Sequence, residues 1–251
     1  MKTKLLFVAI LVLPIIGFGQ DQLKKGAEVP EIKVTPPVFT GIDNFTNVLT
    51  EDHFAAINDY VAKKFRVPGY IARYGKEGTE VVRFVVTAGG VVTGFKVVNS
   101  LDPSIDQELL RILKNTAGMW KPGCNNDSPV DMDQEVSVLI APFDNGSNDI
   151  KKNFKEKAIK YYEKGNEFFF GKNNAKKALR FYNYTINYLP YDASSLIVRG
   201  LCKYRLGDEE GALSDWDRVN AIGEYDMSDF AKELSSQKGY PEMARILQEK
   251  P

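Results

Sequence analysis

Histidine and cysteine are scarce in this chain of 251 residues, which has one histidine and two cysteines. A lone histidine, His53, cannot build a multi-histidine metal site, and Cys124 and Cys202 form no metal-binding cluster. We interpret His53 as a residue in the first turn of a helix. The sequence therefore predicts no metal site and no cofactor.

An excess of charge is also lacking, since 33 basic residues balance 33 acidic ones. Proteins that bind nucleic acid or an anionic membrane surface usually carry a basic excess. We therefore expect no nucleic-acid partner.

Catalytic motifs are missing as well. There is no nucleophile with a nearby base and no phosphate-binding loop, and Cys124 has no candidate histidine partner apart from His53. The acidic stretch "DSPVDMDQE" lacks the glycine and the terminal glutamate of a calcium loop. We expect its carboxylates to face solvent, and the sequence predicts that the protein is not an enzyme. These carboxylates are Asp127, Asp131, Asp133 and Glu135.

One long apolar run is present, Leu5–Phe18, after Lys2 and Lys4. It has about fourteen residues, whereas a membrane-spanning helix needs roughly twenty. Gly17-Phe18-Gly19 has the small-x-small pattern of a signal-peptidase site. We predict a signal peptide over 1–19, cleavage before Gln20, a periplasmic location and no stable membrane span after processing. The alternative is an uncleaved inner-membrane anchor.

Export would place both cysteines in an oxidising compartment, where a disulfide is possible in principle. Cys124 lies in a loop-like stretch, and Cys202 lies in a helical one far along the chain. We expect both thiols to be unpaired, with a Cys124–Cys202 disulfide as the alternative.

The first half of the chain mixes two hydrophobic periods. The sequence predicts an extended segment over residues 20–35 that leads into the first domain. Phe54, Ile57, Val61 and Phe65 then share one helical face after an N-cap at Thr50. A β-hairpin follows with its turn at Ala88-Gly89-Gly90, then a helix capped by Asp102-Pro103, and then a third strand. This order predicts a small α+β domain over 36–143, with helices on one face of an antiparallel sheet. The residues that we expect to share one face of the second helix are Ile105, Leu109, Ile112 and Leu113.

Several stretches in this half resemble the TonB C-terminal domain over about residues 36–142. They are "PPVF", "YVAKKFRVPGYIARYGKEGTEVVRFVV", "GGVVTGFKVVNSLDPSIDQELLRIL" and "MWKPGCNNDSPVDMDQEVSVLI". We expect Trp120 to be buried against the sheet. The resemblance implies that the last strand pairs with a short segment of an outer-membrane receptor. The motif residues in the family's order are Pro68, Ala72, Gly78, Gly90, Trp120, Lys121, Pro122, Gly123, Pro129 and Val130.

After a predicted linker at 144–153, the chain becomes helical and contains a repeat. Gly165 matches Gly200, and two further pairs lie 34 residues apart, Ala178 with Ala212 and Tyr182 with Trp216. This spacing resembles tetratricopeptide (TPR) repeats, although Asn173-Asn174 adds a residue to the first copy. We predict an all-α, TPR-like domain over 154–251 that ends in a capping helix pair.

Two sets of residues are candidates for binding a protein or peptide partner. The first is a free sheet edge, a ready-made template for strand addition, and it consists of Asp133, Gln134, Glu135, Val136, Ser137, Val138 and Leu139. The second is the concave groove that the repeat resemblance implies, and it consists of Tyr162, Asn166, Phe169, Ile197, Leu201 and Tyr204. The alternative for the second set is that most of these side chains pack against a neighbouring helix or the first domain.

Two functions remain open at this point. The first is a periplasmic binding adaptor for protein partners, including segments of outer-membrane receptors. The second is a TonB-type energy transducer, which needs a retained anchor with a histidine in it and a long proline-rich spacer. The apolar run has no histidine, and the residues between Gln20 and Pro36 reach at most roughly 55 Å when extended. We therefore favour the adaptor.

Overall fold

The computed structural model of the chain describes residues 7–13, 33–41, 55–141, 147–223, 225 and 231–248. The chain divides near Ser147 into a unit of strands and helices and a unit of helices. This is the predicted fold class, an α+β domain followed by a helical one. The predicted helix start at Thr50, with His53 and Phe54, lies outside the described residues.

The N-terminal unit contains nine strands and three helices among its described residues. The strands are β1 (Phe7–Leu13), β2 (Val34–Thr35), β3 (Val38–Phe39), β4 (Gly78–Val86), β5 (Val92–Asn99), β6 (Trp120–Lys121), β7 (Gly123–Asn125), β8 (Ser128–Val130) and β9 (Met132–Ala141). The helices are α1 (Ala55–Lys64), α2 (Gly69–Tyr74) and α3 (Pro103–Lys114).

The central sheet has the strand order β1-β9-β4-β5, and all its pairs are antiparallel. The predicted hairpin is confirmed as β4 and β5. Gly90 in its turn has φ +76°, and a Cβ atom there would come within 2.6 Å of the Trp120 carbonyl oxygen. Glycine meets both requirements, because it tolerates positive φ and has no side chain.

The main core of this unit lies between the helices and one face of the sheet. Alternate residues of a strand point to the same face, and Val82 and Phe84 of β4 accordingly join Val136 and Val138 of β9 in this core. Helix α3 begins as predicted, because the Asp102 side chain accepts the Ser104 N–H at 3.0 Å. Its predicted apolar face is confirmed as buried, at Ile105, Leu109, Ile112 and Leu113.

Trp120 joins the short strands to this core. Its strand β6 pairs with β3, so that Phe39 lies opposite Trp120. The indole contacts the rings of Phe39 and Phe84 edge-on, with centroids 5.2 and 5.5 Å away, and its Nε1–H donates to Thr116 Oγ1 at 3.0 Å. The predicted burial of Trp120 is confirmed, at 6% exposure.

The helical unit begins earlier than the sequence indicates. Helix α4 starts at Ser147, so most of the predicted linker 144–153 is the beginning of a helix. Of the linker, 144–146 lie outside the described residues. The helices are α4 (Ser147–Asn166), α5 (Ala175–Tyr188), α6 (Ala193–Arg205), α7 (Glu209–Ile222), α8 (Ala231–Leu234) and α9 (Tyr240–Gln248), with a π-helical turn at Glu167–Gly171 after α4. Among the described residues, none of the chain's helices combines the length and the apolar character needed to cross a membrane.

The two copies of the sequence repeat pack in the same way. A Cβ atom on Gly165 would collide with the Tyr182 ring, and one on Gly200 would collide with the Trp216 ring. Each glycine therefore lets the aromatic ring of the following helix approach its backbone. Gly165 and Ala178 are one residue further apart than Gly200 and Ala212. The π-helical turn, which is wider than an α-helical one, lies between the first pair and accommodates the extra residue.

Candidate partner-binding surfaces

Strand β9 carries the whole first set of predicted contact residues, and in the full chain it is paired on both sides. Val136 lies opposite Val82 of β4 on one side and opposite Val12 of β1 on the other. The predicted edge is therefore occupied in the full chain. The apolar run that we interpret as a signal peptide supplies the additional strand, and the edge is open only in a chain that lacks it.

The side chains of β9 are buried on both faces over most of its length. Val136 and Val138 face the helices, and Ser137 and Leu139 on the opposite face are 1 and 6% exposed. A partner at this strand would therefore be recognised mainly through the backbone N–H and C=O groups.

The acidic residues near β9 differ in their exposure. Asp131 and Asp133 are exposed as expected, and Asp131, just before β9, accepts the N–H of Ala88 in the β4–β5 turn at 2.7 Å. Glu135 is a correction, because it is fully buried. It accepts from Arg83 Nε at 3.0 Å on the neighbouring strand. An ion pair of this kind offsets the cost of burying the carboxylate.

The predicted groove of the helical unit is largely filled. Phe169, Ile197 and Leu201 are 1, 3 and 0% exposed and belong to the core of this unit. This corrects their assignment to an open groove. The physical reason is that α8 and α9 add Leu234, Met243, Ile246 and Leu247 to the same core.

The other three groove residues are half-buried. Asn166 Oδ1 accepts from the Tyr182 hydroxyl at 2.8 Å. Tyr204 packs on Gly239, where a Cβ atom would lie 2.7 Å from its ring. Burial raises the pKa of Tyr162 to about 12, so this side chain is a neutral phenol at physiological pH. Any contact surface at the groove is therefore reduced to the outer parts of these residues.

A buried ionic cluster between α6 and α7 was not predicted. Arg199 binds Asp215 through two N–H···O bonds of 2.9 and 2.7 Å, and Lys203 Nζ lies 3.0 Å from the same carboxylate. Burial lowers the pKa of Lys203. The pattern R-x-x-x-K on one helical face was a usable signal, because residues four apart on a helix are neighbours. The cluster holds the two helices of the second repeat together.

A second unpredicted group is Glu80, which is fully buried in the N-terminal unit. Its Oε2 accepts the Leu101 N–H at 2.8 Å. Burial, together with the neighbouring Asp106, raises the pKa of Glu80 to about 9. Glu80 is therefore protonated at neutral pH. The sequence could have indicated this burial, because the alternation of β4 places Glu80 on the same face as Val82 and Phe84.

Within the described part of the chain, no group of three or more histidine, cysteine or acidic residues is arranged to hold a metal ion. Cys124 and Cys202 are free thiols. Cys202 is completely buried, and burial raises the pKa of its thiol.

Comparison with known families gives one match. Residues 67–139 match the family described as Gram-negative bacterial TonB protein C-terminal. The predicted TonB resemblance is confirmed over this range, which is less than a third of the chain and ends in β9. For the region that follows, the structure shows helices. No curated protein and no solved structure matches the chain significantly.

Proposed function

We propose that the chain is a non-enzymatic adaptor of the bacterial cell envelope that holds protein or peptide partners. The observation that carries this proposal is the match of residues 67–139 to a family of protein-interacting envelope domains. The region that matches ends at Leu139, within the strand whose backbone is the candidate docking edge.

Export supplies the step that exposes this edge. Cleavage before Gln20 removes β1, which in the full chain pairs with residues 135–141 of β9. The mature protein then presents that side of β9 to a partner strand. Main-chain pairing of this kind accepts varied partner sequences, which suits an adaptor. The exposed carboxylates of Asp131 and Asp133 favour a basic partner and discourage pairing with unrelated strands.

The helical unit completes the proposal as a pair of TPR-like repeats with a capping helix pair. The support is the shared glycine-on-aromatic packing at Gly165 and Gly200 and the core residues that α8 and α9 contribute. A terminal helix pair that covers an apolar face is what a helical-repeat array requires.

Strand addition at β9 can be tested with residues 20–251 and a fluorescent peptide that contains FVAILVL between lysine pairs. This sequence is the segment that pairs with β9 in the full chain. We expect the peptide to bind to 20–251 but not to 1–251, in which the edge is occupied. A peptide of the same composition with a central proline is the matched control.

Two proline variants of 20–251 identify the edge. Adjacent residues of a strand direct their N–H groups to opposite sides, so one of Val136→Pro and Ser137→Pro removes an edge donor and the other a donor to β4. We expect the variant that loses the edge donor to fold and to bind the peptide at least tenfold more weakly. We expect the variant that loses the donor to β4 to unfold the domain. Equal peptide binding by 20–251 and its folded proline variant would exclude strand addition.

The alternative is a TonB-type energy transducer, which the family match also favours. That function requires the apolar segment 5–18 to be retained as an inner-membrane anchor. Two observations together would support the transducer over the adaptor. They are recovery of an uncleaved chain from inner membranes and loss of receptor-dependent uptake when the gene for this chain is deleted.

A further inference from the structure

Five aromatic rings form a continuous strip along one side of the first helix pair of the helical unit. Tyr161 lies at the centre, with ring centroids 6.4 Å from Phe181, 5.0 Å from Tyr184 and 6.0 Å from Tyr188. Phe168 extends the strip by stacking on Phe181 at 5.4 Å. We call these residues the aromatic strip: Tyr161, Phe168, Phe181, Tyr184 and Tyr188.

The strip is accessible to solvent. Tyr184 is 42% exposed and the other four rings are half-buried. Phe169, the next residue after Phe168, belongs instead to the core, and both lie in the π-helical turn. Turns of this kind occur frequently at functional sites, and contiguous exposed apolar surface commonly marks a contact with another molecule.

Lysine ammonium groups lie over the faces of these rings. Lys172 and Lys177 are 4.7 and 5.3 Å from the centroid of Phe168, and Lys164 is 5.8 Å from that of Phe181. These three lysines are exposed, and Lys172 also forms an ion pair with Glu167. Each cation–π contact holds a positive charge beside an apolar surface. The strip therefore offers apolar contact and positive charge in the same place.

The distribution of charge supports an acidic partner. Residues 148–190 contain ten basic and four acidic residues, whereas residues 191–251 contain eight basic and twelve acidic ones. The balance of the whole chain thus conceals a net charge of +6 on the helix pair that carries the strip. Charge complementarity of this kind steers an oppositely charged partner to the surface.

We propose that the aromatic strip binds an acidic protein segment that carries aromatic or other large apolar side chains. Residues 181–188 of α5 span about 10 Å, which is the length of three or four residues of an extended segment. Four of the rings are half-buried, which leaves little apolar surface to insert into a lipid layer. Glu163 is exposed on the same stretch and would repel a flat anionic membrane, whereas a narrow segment can pass beside it.

This site deepens the adaptor proposal by naming the chemistry of a second partner, but it lies in the helical unit and needs no free β9 edge. The test uses the full chain and a fluorescein-labelled peptide, DFEYDFE, whose binding is followed by anisotropy. We expect saturable binding that weakens as the salt concentration rises, because exposed charges are screened. The peptide KFKYKFK, with the same aromatic residues and the opposite charge, should not bind.

Charge-reversal variants locate the site. Lys164→Glu combined with Lys177→Glu should weaken binding of DFEYDFE by at least tenfold, and Tyr184→Ser by at least threefold without any change of charge. Lys114→Glu combined with Lys238→Glu is the matched control, because both lysines are exposed and lie outside the strip. It should retain full affinity. Thermal unfolding of every variant should match that of the parent protein.

Four outcomes would overturn the proposal. The first is no binding of DFEYDFE at up to about 1 mM, a dissociation constant that corresponds to a binding free energy of only about −4 kcal/mol. The second is equal weakening by the control pair. The third is co-sedimentation with phosphatidylglycerol vesicles that the strip variants abolish, which would assign the strip to a lipid surface. The fourth is concentration-dependent dimerisation of the full chain that the same variants abolish, which would assign it to a second copy.

Discussion

At the scale of single residues, Trp120 connects three parts of the N-terminal unit. Its ring contacts Phe39 from a short strand and Phe84 from the central sheet, and its indole N–H binds Thr116 after helix α3. An aromatic side chain with this many partners contributes both buried area and a satisfied polar group.

Trp120→Ala should therefore lower the free energy of unfolding by about 3–5 kcal/mol, as for other large buried aromatics. The measurement is urea denaturation followed by circular dichroism. Tyr74→Ala is the control, since Tyr74 is 77% exposed and its loss should change little. A loss below about 1 kcal/mol for Trp120→Ala would show that this ring is not part of the core.

Glu80 makes the stability of the same unit dependent on pH. Its pKa is raised to about 9 in the folded state, against 4.5 for the unperturbed group. Between these values the unfolded chain loses the proton and the folded protein keeps it. Stability linked to Glu80 is therefore fully present below about pH 4.5 and is lost as the pH rises through about 9.

Glu80→Gln should remove this dependence, because glutamine resembles the protonated acid and still accepts the Leu101 N–H. From pH 5 to pH 8 we expect the parent protein to lose about 2–4 kcal/mol of stability relative to the variant. Glu108→Gln is a control of opposite sign, since the Arg111 guanidinium lowers the pKa of Glu108. Parallel stability curves for the parent and Glu80→Gln would contradict a protonated Glu80.

At the scale of elements, long segments with a regular period were predictable. The β4–β5 hairpin and helix α3 have clear periods of 2 and 3.6, and local signals mark their ends, such as Gly90 and Asp102. The short strands were not predictable. Strands of two or three residues, such as β3 and β6, have no period to read, and their partners lie far away along the chain.

The candidate sites likewise depend on contacts between residues far apart in the chain, which the sequence does not reveal. The sequence identified β9, but its side chains are buried on both faces, and its second neighbour is a segment that we interpret as a signal peptide. The groove residues Phe169 and Leu201 are buried, because residues of the last two helices, α8 and α9, belong to the same core. Long-range packing of this kind leaves no local signal.

The repeat gives a prediction at this scale. Gly200→Ala should destabilise the helical unit by about 1–3 kcal/mol, because the new methyl group collides with the Trp216 ring and this overpacking exceeds the gain in helix propensity. Gly171→Ala is the matched control, since a Cβ atom there meets nothing within 4 Å. Thermal denaturation followed by circular dichroism measures both. An increase in stability for Gly200→Ala would contradict close packing of the repeat helices.

At the scale of the whole molecule, two units with different surface chemistry are combined in one chain. In our proposal, the first unit offers the β9 backbone edge once β1 is removed, beside the exposed carboxylates Asp131 and Asp133, and the second unit offers the aromatic strip with its lysines. The neutral overall composition hides both features, because charges of opposite sign cancel in the sum. Under the adaptor proposal, these opposite local charges would favour a basic partner at one site and an acidic partner at the other.

The proposal depends above all on the removal of β1, which leaves β9 as an edge strand at which a partner can dock. The decisive measurement is mass spectrometry of the N-terminus of the native protein, isolated from its source organism. We expect a chain that starts at Gln20 and is recovered from the periplasm. Recovery of the intact chain starting at Met1 from the inner membrane would contradict it.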